Sequence, residues 1–161
     1  IRRQRQMCIR DSAGAAGELE GERRWPFAVD GVIAQAVPTK TRYWDDPTRC
    51  ADERFANLSA ELWWHLRLLF ESTWLHVHEG QEFPLDQLIS IPSDDKLISQ
   101  LSSRLYELTP QGKVALESKK QMRRRGVKSP DRADALALAY CPPLKIHVPL
   151  GFDAGGSRKV S

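Results

Sequence analysis

The chain has 161 residues, room for one domain, and 41% of them are hydrophobic, with five Trp and five Phe to fill a core. Its formal charge is only +3, and no apolar run is long enough to cross a membrane. Cys8, Cys50 and Cys141 are odd in number, far apart and without a Cys-x-x-Cys, so neither a zinc site nor a disulfide framework is indicated, and a reducing cytosol is the expected compartment.

Residues 1–12, IRRQRQMCIRDS, resemble the translation of a sequencing adapter and are set aside from fold reasoning. They are basic but lack the apolar segment of a secretory leader. They carry four Arg and one Asp, so the rest of the chain balances at 20 basic and 20 acidic residues. Any nucleic-acid argument must therefore rest on a local cluster, not on net charge.

Residues 13–17, AGAAG, suit either a tight turn into a helix or a frayed terminus. Phe27 to Ala34 reads as a short strand after Pro26, with Asp30 more plausible as an outward-facing residue than as a metal ligand. Pro38 to Arg54 is polar and reads as loop. Phe55 to Phe70 is the clearest helix: Phe55, Leu58, Leu62, Leu66 and Leu69 follow helical spacing, and Trp63 and Phe70 widen the stripe. Trp63 and Trp64 favour core packing over a base-stacking platform. Glu61 lies off the stripe and would join a metal site only if the helix start faced a cleft.

Ser72 to Gln87 reads as an insertion, and its His76 and His78 have the spacing of one strand face but no partners for zinc, which leaves them solvated. Leu88 to Ile91 suits a short strand. Ser93 then caps a helix over Asp94 to Ser102, with Leu97, Ile98 and Leu101 inward. Ser103 to Leu108 and Lys113 to Ser118 form a hairpin around a type I turn, with Pro110 second and Gly112 fourth.

Glu117 to Arg132 holds seven Lys/Arg and two acids. A basic run, Lys119 to Lys128, is broken by Gly126. Ser129-Pro130-Asp131 is a helix start: Ser can cap, Pro suits the first helical position, and an acid suits the first turn. Arg132 to Tyr140 is small or apolar after Asp134 and is expected to be buried. From charge alone the default is a solvated face before an ordinary helix. The alternative is a carboxylate held beside cations, able to place a metal next to a phosphate backbone. Residues 142–161 read as a tail. No GxxxxGK[ST] loop occurs.

Glu117 to Leu138, ESKKQMRRRGVKSPDRADALAL, resembles the closing motif of the nuclease domain in large terminase subunits, the DNA-packaging motors of tailed bacteriophages and prophages. Two further segments match in the same order. Phe55 to Arg67 resembles that family's F-x-N-x-R-A-E-x-W-W-x-L-R helix, with Ser59 in place of the usual Arg. Gln100 to Tyr106, running into Gly112 to Ser118, resembles its hairpin.

The resemblance implies an α/β fold of the ribonuclease H type, a mixed sheet flanked by helices, here incomplete because the opening strands are missing. Residues 13–141 would be the partial nuclease domain. It also implies a two-metal endodeoxyribonuclease using Mg²⁺ or Mn²⁺. The family's last catalytic acid falls on Asp131, with Asp134 as second choice, and the second acid's slot falls on Asp11. Lys119, Lys120, Arg123, Arg124, Arg125 and Lys128 would contact phosphates of double-stranded DNA. The implied partners are the portal protein and the small terminase subunit, in the cytoplasm of an infected or lysogenic bacterium. With too few acids for two metals, the isolated chain is expected to be weak or inactive. The competing readings are a catalytically dead DNA-clamping or motor-docking module, and another ribonuclease H-like nuclease, against which the Phe55 to Arg67 motif argues.

Overall fold

The computed structural model describes residues 34–141, and the expected strand at 27–34 falls almost wholly outside them. In chain order the elements are α1 (Ala51–Arg54), α2 (Leu58–Glu79), a 3₁₀ turn (Leu85–Gln87), α3 (Asp95–Ser103), β1 (Tyr106–Leu108), β2 (Val114–Leu116), α4 (Lys119–Arg124) and α5 (Asp131–Ala139).

The centre of the packing is α2, which meets α5, β2 and the 3₁₀ turn, while α3 packs on α5. Asn57 caps it by accepting from Ala60 N at 3.0 Å, while Leu58 N and Ser59 N donate to the carbonyls of Ala36 and Ala34. One stripe (Leu58, Leu62, Leu66, Leu69) buries against Ile89 and Ala137. A second (Ala60, Leu68) buries against Tyr43, Ala51 and Phe55. A buried leucine is worth about 1.5–3 kcal/mol, so this helix carries much of the stability.

The helix runs nine residues past the expected end, so the first part of the segment read as an insertion, Ser72 to Glu79, is helical. The reason is visible in its last turns. Trp74 and Val77 are exposed, so the apolar periodicity fades while the helix continues to Gly80. His76 and His78 thus sit on a helix, where an i, i+2 pair diverges. His76 Nδ1 lies 2.7 Å from the Gln81 carbonyl and His78 stacks on Trp74.

Leu88 to Ile91 pairs with no strand among the described residues. Ile89 is buried in the core, and its N–H donates to Thr73 Oγ1 at 2.8 Å, so a side chain on α2 takes the place of a ladder partner. The N-cap of α3 is Asp94, not Ser93, accepting from Leu97 N at 3.0 Å. Leu97 is buried and Leu101 packs on the core, whereas Ile98 points to solvent.

The hairpin forms as expected, with Tyr106 opposite Leu116, Glu107 opposite Ala115 and Leu108 opposite Val114. Thr109 O accepts from Gly112 N at 2.8 Å to close the turn. A parallel bridge joins Phe55 to Val114 on the free side of β2. Among the described residues the sheet is this two-stranded hairpin, a small part of the mixed sheet expected from the sequence.

Candidate metal and nucleic-acid site

Two short helices meet at the site. Ser118 and Gln121 cap α4 reciprocally: Ser118 Oγ accepts from Gln121 N at 3.2 Å, and Gln121 Oε1 accepts from Ser118 N at 2.7 Å. Met122 anchors α4 in the core, which leaves Lys120, Arg123 and Arg124 outside. The helix stops at Gly126, whose φ of 74° is left-handed. There Val127 N donates to Met122 O at 2.9 Å and Gly126 N to Arg123 O at 3.0 Å, a Schellman ending. Lys128 follows in solvent and Pro130 is fully buried.

The start of α5 differs from its expected form. Pro130 is the N-cap, and Ser129 caps nothing; its hydroxyl donates to Asp131 Oδ1 at 2.6 Å. The free N–H groups of Arg132 and Ala133 are taken instead by Gln100 Oε1 on α3, at 2.9 and 3.2 Å. The helix is also less buried than expected. Ala133 and Ala137 are covered, while Leu138 is exposed, because α5 packs mainly against α2 and α3.

Asp131 and Asp134 stand one helical turn apart and converge on one cation. Lys119 Nζ lies 3.6 Å from Asp131 Oδ1 and 3.5 Å from Asp134 Oδ2. Their other surroundings diverge. The Asp131 side chain is 66% exposed. Asp134 is 23% exposed, and its Oδ1 accepts from Arg104 at 2.6 Å and from the Trp63 indole at 3.0 Å. Arg104 is itself buried against the Trp63 ring, with its guanidinium 4.7 Å from the centroid. Trp63 is therefore a half-buried partner of the site as well as a core residue. Neither it nor Arg104 announces this role locally.

Arg125 is drawn away from the basic run. It pairs with both carboxylate oxygens of the buried Glu117, at 3.0 Å through Nε, and donates to Ser103 O at 2.8 Å. That arginine holds the Glu117 carboxyl below the usual range, with Leu105 N as a further donor. Arg132 pairs with Asp94. The basic side chains left facing solvent here are Lys120, Arg123, Arg124 and Lys128.

The remaining candidates lie elsewhere. Glu61 is completely buried and accepts from Thr39 N (2.7 Å), Thr39 Oγ1 (2.5 Å) and Tyr43 OH (2.9 Å), which fixes residues 39–43 onto α2. Trp64 donates to Asp45 and lies under Arg67 and Arg54. Asp11 and Asp30 fall outside the described residues. Among the described residues no three His, Cys, Asp or Glu side chains form a metal-binding group. Asp131 and Asp134 offer the hard oxygens a divalent cation prefers, but two carboxylates from one helical turn do not by themselves hold a metal pair.

The nuclease domain of the large terminase subunit of bacterial virus Sf6 matches over 83% of this chain and 62% of its own length, at 22% identity and a TM-score of 0.72. The fold is that of a phage terminase nuclease domain. A lysine-to-alanine variant of the same Sf6 domain, with manganese and β-thujaplicinol, matches equally well, at 22% identity over 82% of this chain and 61% of that one. A variant of that domain with calcium gives 0.69, with 22% identity over 81% and 61%. The chain thus spans about three fifths of the length of these terminase nuclease domains. No protein-family model and no curated protein matches the sequence. None of the described helices is long and apolar enough to cross a membrane.

Proposed function

We propose that this chain is the C-terminal part of a large terminase subunit's nuclease domain, a metal-dependent endonuclease that cuts concatemeric DNA as a phage or prophage genome is packaged in the bacterial cytoplasm. The observation that carries the proposal is the pairing of Asp131 and Asp134 at the start of α5, beside the solvent-facing cations of α4, on a terminase nuclease fold.

Asp131 is the exposed ligand for Mg²⁺ or Mn²⁺. Asp134 is the second, held in place by Arg104 and Trp63. The slot of the family's second acid falls on Asp11, within the 1–12 segment set aside above as resembling an adapter. A bound metal pair supplies polarisation of water and stabilisation of the leaving oxygen. The protein's own contribution is positioning. Lys120, Arg123, Arg124 and Lys128 hold phosphates of double-stranded DNA, Lys119 balances the carboxylates, and Arg125 braces α4 through Glu117. The portal protein and the small terminase subunit are the assembly partners of this reading. With two carboxylates in the described site, the chain alone binds DNA and cuts weakly or not at all.

The count of carboxylates also favours a second reading, a DNA clamp without catalysis. Nicking of supercoiled plasmid separates the two. With Mn²⁺, a chain extended upstream by its own reading frame is expected to nick, and EDTA or Asp131→Ala to abolish nicking. An Asp131→Ala protein that cuts as well as its parent sinks the nuclease reading. DNA binding is tested apart from cutting. Changing Lys120, Arg123 and Arg124 to Ala should lower the slope of log K against log salt by about 2–3. An unchanged slope removes the basic face from the site.

A further inference from the structure

The hairpin carries a surface that the metal site leaves unused. β1 is open to solvent along its length, with Tyr106 61% exposed between exposed Leu105 and Leu108. A cleft of about 350 Å³ separates it from α4, and Tyr106, Gln121 and Arg124 are among its lining residues. Toward α2, Tyr106 meets Trp64 edge-on with centroids 5.9 Å apart, and the Arg67 guanidinium lies 4.6 Å above the Trp64 ring. Arginine, tryptophan, tyrosine and arginine thus follow one another across the surface from α2 to α4. Of the acids along this track, Glu117 pairs with Arg125, Glu71 with Arg67 and Asp45 with Arg54, while Glu107 has no ion pair among the described residues.

An exposed ring bordered by arginines complements a polyanion that also offers flat apolar faces. A duplex hides its base faces in the stack, so an exposed ring at the edge of a cleft selects a base that is already unpaired. We propose that Tyr106 stacks on an unpaired nucleobase of a DNA end or frayed junction, while Arg124 holds an adjacent phosphate. This deepens the DNA reading above and rests on it.

The test compares the chain, Tyr106→Ala and Tyr106→Phe on two probes: a blunt duplex, and the same duplex with a short 2-aminopurine overhang. The chain should bind the overhang more tightly and quench its fluorescence. Tyr106→Ala should weaken overhang binding about tenfold, remove the quenching and leave blunt-duplex binding unchanged. Tyr106→Phe should retain both effects, since the ring does the stacking. Equal losses on both probes, or an Ala variant that quenches like its parent, overturn the stacking role. Absence of salt-dependent binding to the blunt duplex by the parent chain would instead overturn the DNA reading beneath it.

Discussion

Asp131 and Asp134 share a lysine, yet their substitution should have opposite signatures. Asp131 is mostly solvated, so Asp131→Asn should leave the thermal midpoint nearly unchanged while removing metal-dependent behaviour. Asp134 compensates a buried arginine. Arg104→Ala or Asp134→Ala strands a charge and should cost about 2–4 kcal/mol by urea denaturation. Equal costs at 131 and 134 would show that Arg104 does not fix the site. That Asp131 opens a helix just after a basic run was legible in the sequence, because proline placement and charge clustering are local, although the expected Ser129 cap is not made. Gln100, Arg104 and Trp63 were not legible. Their bonds to the start of α5 span 32, 30 and 71 positions, distances over which a single sequence carries no pattern.

At the scale of elements, the relation between α4 and α5 depends on one backbone conformation. Gly126 turns the chain through the left-handed region so that Lys128 and Pro130 can follow, and no heavy atom crowds the place of a side chain there. Gly126→Ala should therefore cost about 1–2 kcal/mol through backbone strain alone. It should also weaken DNA binding, because α4 shifts relative to Asp131. A variant of unchanged stability, measured by urea titration, would contradict the Schellman ending. The hairpin was legible for a similar local reason, since Pro110 and Gly112 specify the turn. The far half of α2 was not, because an exposed helical tail loses the amphipathic period that marks the rest.

For the whole molecule, the pattern of titrating groups sets how it meets acid. Burial against Tyr43 and Trp44 pushes the His65 imidazole down, with the Tyr140 backbone partly opposing it. The unfolded chain then takes up the His65 proton first, so stability falls as pH drops below about 6.5. A second loss should begin below about pH 4, as Glu117 and Asp45 protonate. Arg125 holds Glu117 below its usual range. Burial raises Asp45, but the Arg54 and Trp64 hydrogen bonds outweigh it and leave it depressed. Thermal midpoints from pH 8 to 3 should show both steps, and His65→Gln should remove the first alone. A single step, or two steps unchanged in His65→Gln, would reject the assignment.

The bond from the Trp63 indole to Asp134 joins positions 71 apart, and closing a loop of that length costs about 4 kcal/mol of chain entropy. Such a contact rewards the chain only after its core has gathered, whereas the α2 stripe against Phe55 and Tyr43 involves nearer neighbours. Folding and unfolding rates should therefore divide the two. Leu68→Ala, in the early-gathering core, should slow folding. Asp134→Asn should leave the folding rate almost untouched and speed unfolding, as expected for an interaction made after the transition state. The carboxylates would then be the last part of the molecule to assemble and the first to come apart.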